Sequence, residues 1–230
     1  MKRKILFVML LGILLIGYGL SARTAALGAQ DSGVVREFGE TDAILDAGDT
    51  FICVLRFPKT GIAEADRAIY DWARTAYAVV KGHADGTDSE GRQNEAVLDV
   101  GYSAFLVKGD YAGIEETGDL SGSFLAHPID IVRTFNIDIK GKRLLTADEI
   151  LNNDRGLALA LLRRKIAKRY PDMQGKLRDA GETWLEHLVI KRDGVEILLP
   201  RGEFLPSHLG LERFLLTYEE LGGFLTARNS

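Results

Sequence analysis

With a single cysteine, Cys53, the chain cannot form an internal disulfide. Its four histidines, His83, His127, His187 and His208, are scattered, and no pair stands at metal-ligand spacing. No Gly-x-Ser-x-Gly elbow occurs: Gly118-Asp119-Leu120-Ser121-Gly122 lacks the frame, and Gly101-Tyr102-Ser103-Ala104 falls in an expected strand. A phosphate-binding glycine loop and internal repeats are also missing. These gaps leave no motif for nucleophilic, metal or nucleotide chemistry, so the sequence predicts a non-enzymatic protein without a cofactor.

Positive charge is scarce as well. The chain has 29 basic and 33 acidic residues, and four of the basic ones, Lys2, Arg3, Lys4 and Arg23, fall within residues 1–28, which hold no acid. From residue 29 onward 25 basic residues face 33 acidic ones, a net charge of −8. Such a surface argues against nucleic acid and favours cationic partners, mainly through encounter rate.

What is present begins with Lys2-Arg3-Lys4, an apolar run from Ile5 to Leu20 broken by three glycines, and a small-residue stretch ending in Ala26-Leu27-Gly28. This is the anatomy of a secretory signal peptide over residues 1–28, with an uncleaved membrane anchor as the alternative. No cysteine directly follows the run, which excludes a lipoprotein anchor. The protein is therefore expected to be exported, to the periplasm, the cell surface or the medium. Cys53, inside the apolar Phe51-Ile52-Cys53-Val54-Leu55, reads as a buried free thiol.

Residues 29–49 read as a lead-in with room for one short element, and residues 50–228 as one domain. A strand is expected over Thr50–Phe57, then an amphipathic helix from Glu64 to Lys81, stopped by Gly82. After the polar loop 83–94, Ala96–Val107 and Tyr111–Thr117 form a hairpin about Lys108-Gly109-Asp110, and 118–123 reads as a polar connection. A strand over Ile129–Ile139 ends at Lys140-Gly141-Lys142. Thr146 and Glu149 then form a capping box. A helix from Arg155 to Tyr170, a hairpin of Thr183–Lys191 and Val195–Leu199 about Arg192-Asp193-Gly194, a strand Phe214–Thr217 and a terminal helix Tyr218–Ala227 complete the chain. The pattern is α+β, with helices packed on one face of a mainly antiparallel sheet.

Several phrases carry a resemblance. Ala126-His127-Pro128 leads to Phe135-Asn136-Ile137-Asp138, then to Gly141-Lys142-Arg143-Leu144-Leu145-Thr146 and Asp148-Glu149-Ile150. Lys191 to Ile197, Leu205 to Gly210 and Phe214 to Leu221 follow in the same order. Together these resemble the extracytoplasmic domain of RsiV, a lysozyme-sensing anti-sigma factor, and the related domain that accompanies the cell-wall deacetylase PdaC. The resemblance covers roughly residues 50–225, and Phe57-Pro58 with the helix from Glu64 fits the opening of the PdaC-type domain more loosely. The chain departs from the pattern at Phe124-Leu125, where relatives carry two glycines, and at Ala147, where they carry leucine. Only Met1 to Lys4 precede the apolar run, so no cytoplasmic sigma-binding segment is expected, and the deacetylase domain has no counterpart. The resemblance implies a cell-envelope partner: a lysozyme-like cationic protein or peptidoglycan.

Candidate binding residues are His127, Tyr102, Tyr111 and Phe124. Each has a plain structural alternative: a ring nitrogen bonded to turn backbone for His127, and core or cross-strand packing for the aromatics. The adjacent pairs Glu115-Glu116 and Glu219-Glu220 read as solvated rather than as acid-base pairs. The basic run Arg163-Arg164-Lys165 with Lys168-Arg169 falls at a helix C-terminus, where cations complement the dipole, and a contact with anionic lipid or wall polymer is the alternative. The rival class is a cell-wall hydrolase whose site, for example around His127 and Asp138, assembles only in three dimensions. A third is a structural subunit of an envelope complex.

Overall fold

The computed structural model describes residues 40–173, 181–201 and 206–223, and the expected signal segment lies outside them. The α+β expectation holds. At the centre is the expected hairpin: β3 (Ala96–Val107) and β4 (Tyr111–Gly122) pair antiparallel from Ala96–Gly122 to Val107–Tyr111. Around it β1 (Glu40–Ala47), β2 (Phe51–Lys59), β5 (Ile129–Asp138) and the two-residue β6 (Arg143–Leu144) complete a six-stranded sheet in sequence order. Every pairing is antiparallel except β2–β3. A parallel pair needs a long crossover, and α1 (Ala63–Ala84) supplies it.

Strand alternation sorts the side chains. Cys53 and Leu55 on β2, Leu98 and Val100 on β3, Ile114 on β4 and Phe135 on β5 share one core with Ala65, Ile69, Ala73 and Val80 of α1. The small Ala65 and Ala73 among these helix positions let α1 lie close to the sheet.

The remaining elements form a second layer. The short α2 (Ala147–Ile150) leads to α3 (Arg155–Arg169), a 3-10 turn (Glu182–Leu185), and an antiparallel sheet of β7 (Leu188–Lys191), β8 (Gly194–Leu199) and β9 (Glu212–Thr217). Leu162 and Ile166 of α3 pack with Val195, Ile197, Phe214 and Leu216 in a second core. The free edge of β7 rests on the six-stranded sheet at Gly113, where a Cβ would stand 2.2 Å from the Ile190 carbonyl oxygen. Only glycine allows that approach.

Several expectations are corrected. Gly82 does not stop α1, which continues to Ala84; Val80 and Ala84 are both buried, so the apolar face outlasts the glycine, whose helical cost is only about 1 kcal/mol. The expected connection 118–123 is mostly strand, because β4 matches β3 in length and Leu120 stays buried. The strand expected from Thr183 begins only at Leu188, after the 3-10 turn Glu182–Leu185, whereas the lead-in does supply its one element, the edge strand β1. Tyr218–Gly222 is a turn rather than a helix, with Gly222 and Gly223 both at positive φ, and residues 224–227 lie outside the described residues. Glu115 and Glu116 are buried, not solvated.

Candidate functional site

Asn136 joins the two sheets. Its amide donates to the Leu188 carbonyl (2.9 Å) and accepts from the Ile190 N–H (2.7 Å). These groups belong to the outer edge of β7, so the side chain stands in for a missing strand and satisfies a buried edge. Its neighbour in the motif, Asp138, accepts from the Gly141 N–H at 2.7 Å and shapes the turn into β6. The next phrase closes the capping box: Thr146 Oγ1 accepts from the Glu149 N–H at 3.3 Å, while Glu149 accepts from the Thr146 N–H at 2.9 Å.

Beside β5, with Asn136 in its lining, lies a cleft of about 290 Å³. It is lined by Arg133 to Asn136 of β5, by Ala68 of α1 and Leu144 from the side of the first core, and by Leu145, Ala147, Arg155, Glu182, Leu185, Glu186 and Leu188 from the second layer. Arg155 is engaged by Asp148 (2.6 Å) and Glu182 (3.2 Å), whereas Glu186 is exposed.

The edge of β5 facing this cleft is covered over only part of its length. The Asn136 carbonyl accepts from the Leu145 N–H at 2.7 Å, so even-numbered residues of β5 direct their backbone groups away from β4. β6 covers that edge only at Ile137 and Asp138. Among the described residues nothing pairs with the outward N–H and C=O groups of Val132 and Thr134.

Two buried carboxyl groups lie on β4, one on each face. Glu115 accepts from Arg213 at 2.8 Å and pairs with Lys191 at 3.3 Å; Glu196 meets the same cations at 3.0 and 2.8 Å. Lys191 also stands 3.6 Å above the Phe105 ring. This network fastens β7, β8 and β9 to β4. On the α1 face Glu116 is fully buried between its strand neighbours Tyr102 and Arg133, and neither carboxyl oxygen has a hydrogen-bond partner. Burial pushes its pKa up to about 9, so it stays protonated at neutral pH. Burial, and then Arg133, hold the His187 ring below its ordinary value.

The sequence-derived candidates do not converge. His127 is exposed in the β4–β5 connection, its Nδ1 3.1 Å from the Pro128 carbonyl oxygen. Phe124, in the same connection, stacks on His83 with ring centroids 5.1 Å apart. Tyr102 bonds Thr41 through its hydroxyl at 2.7 Å, and Tyr111 is buried in the second core. His127 and Asp138 flank opposite ends of β5, whose ten residues span about 30 Å, so they form no common site. Cys53 is free and buried, and burial, followed by Asp46 and Asp99, pushes its thiol up to about 11. The basic run of α3 is engaged in part: Lys165 pairs with Glu220 at 2.8 Å and Arg169 with Glu212 at 2.6 Å. Among the described residues no group of three His, Cys, Asp or Glu side chains could hold a metal ion.

Sequence reasoning missed Thr134, Glu182 and Glu186. The one signal for them is the brevity of Arg143-Leu144 between a ten-residue strand and a capping box, which leaves that strand under-paired.

The fold itself has solved counterparts. A DUF3298-family protein from Pseudomonas aeruginosa PAO1 superposes with a TM-score of 0.53 at 16% identity, covering 80% of this chain and 93% of that one. A DUF3298-family member from Bacteroides fragilis NCTC 9343 gives 0.51 at 14% identity, covering 80% and 92%. DUF3298 proteins are of the domain type associated with PdaC and RsiV, so the architecture is that of this domain type. No family model and no curated protein matches the sequence.

Proposed function

We propose that the chain is an exported, non-catalytic module that binds a cationic protein of the cell envelope, of the lysozyme type, through the cleft beside β5. The observation that carries this reading is the cleft itself, where backbone of β5 is left under-paired; its charged lining balances, Arg133 and Arg155 against Glu182 and Glu186, so the attraction for a cation comes from the molecule as a whole. The net charge of −8 from residue 29 onward supports it, since opposite sign raises the association rate. The resemblance to the RsiV outer domain supplies the partner class. Peptidoglycan suits the cleft less well: Phe135 is the one aromatic residue lining it and is buried, so it offers a glycan no stacking platform.

Calorimetric titration of the full chain with a C-type lysozyme, at low and at physiological salt, tests this. Saturable binding that persists at physiological salt is expected. Heat that vanishes with salt would mean charge attraction alone, and the reading would fall.

A further inference from the structure

We infer that the cleft takes an extended segment of its protein partner as an added β-strand, hydrogen-bonded to Val132 and Thr134 of β5. This rests on the binding reading above and specifies how the partner docks. Val132 and Thr134 direct their backbone groups outward, and none is paired among the described residues. Such an edge is a ready template for another chain.

The molecule already shows that this edge accepts a strand. β6 pairs with Ile137 and Asp138, and the Leu145 N–H bonds the Asn136 carbonyl. At Thr146 the capping box turns the chain away into α2, so the ladder stops beside Thr134. An incoming segment would continue the same edge. Its side chains would alternate between Ala68 and Leu144 on the side of the first core and the second layer, where Leu185 and Glu186 would receive an apolar or basic residue.

These flanks also select the occupant. The edge of β5 is flanked on both sides, and in a second copy it would be flanked in the same way, which disfavours edge-to-edge pairing of two sheets. A single extended strand fits. The repeat of unpaired donors and acceptors, two residues or about 7 Å apart, is that of a peptide backbone.

The test does not depend on the partner's identity. Random linear peptides displayed on phage are panned against the full chain, with counter-selection on the Thr134→Pro variant. This substitution removes an outward N–H and no bond to β4, and proline is tolerated on an edge strand. The expected result is enrichment of β-prone sequences of alternating character that bind the variant about tenfold more weakly. A second arm leaves the protein untouched. An enriched peptide is N-methylated at each position in turn, and alternate positions should lose about tenfold in affinity while those between them do not. No enrichment over the variant, or N-methylation effects without a two-residue period, would overturn strand addition. Neither result would touch the lysozyme titration, which tests the binding reading separately.

Discussion

Glu116 and Asn136 lie on neighbouring strands, and the core treats them in opposite ways. The Asn136 amide meets a matching donor and acceptor on β7, while the Glu116 carboxyl has no partner and is kept protonated by burial. Its folded pKa, about 9, lies above the ordinary value of 4.5. A raised folded pKa means the native state holds a proton that the unfolded chain releases. The stability this contributes is complete below about 4.5 and is lost progressively as pH rises through about 9. Glu116→Gln should therefore match the parent near pH 4.5 and exceed it by on the order of 5 kcal/mol at pH 8, read from urea unfolding at the two pH values. Equal stability of the two proteins at pH 8 would show that Glu116 is ionised and paired in the fold. None of this was legible in the sequence. Adjacent glutamates in a polar-looking stretch carry no mark of burial, and the Arg213 and Lys191 that pair with Glu115 lie 98 and 76 positions away.

At the scale of elements, local signals read well where the chemistry is local. The hairpin turn at Lys108-Gly109-Asp110, the start of α3 at Arg155 and the Thr146–Glu149 box stand where the residues put them. The box also sets a pH dependence. The Arg143 guanidinium, then the Thr146 backbone, hold Glu149 down at about 2, so its stabilising contribution is present above the ordinary 4.5 and fades as pH falls towards 2. Thr146→Ala should cost about 1 kcal/mol at pH 7 in thermal or urea unfolding, because it removes the hydroxyl that accepts from Glu149. Where the deciding contact is distant, local reading fails. Gly82 stays helical because Ala84 is buried beyond it, and the polar 118–122 stays strand because β3 lies alongside. The strands' division into two sheets was invisible for the same reason, since it rests on Gly113 and Asn136 meeting a strand some 50 to 80 positions further on.

For the whole molecule, the residues that carry the family resemblance are those that hold the scaffold together. Asn136 bridges the sheets, Asp138 shapes the turn, and Thr146 with Glu149 starts α2. Replacing Asn136 should therefore damage the fold rather than one surface. Asn136→Ala leaves the Leu188 carbonyl and the Ile190 N–H without their partner, at about 1–3 kcal/mol for each group. Asn136→Asp retains an acceptor for Ile190 but faces the Leu188 carbonyl with a second acceptor, so urea unfolding should show it failing to restore stability. The fold was thus recognisable from the sequence, while the cleft was not, because strand length and edge pairing shape it more than any distinctive residue.

The central claim, that a cationic envelope protein docks along the edge of β5, meets its most direct test in amide hydrogen exchange of the full chain with and without a C-type lysozyme. The account predicts slowed exchange at Val132 and Thr134 and across residues 182–188, with β1 and β2 unchanged. Protection confined to β1 and β2, or exchange unaltered throughout at saturating lysozyme, would contradict it.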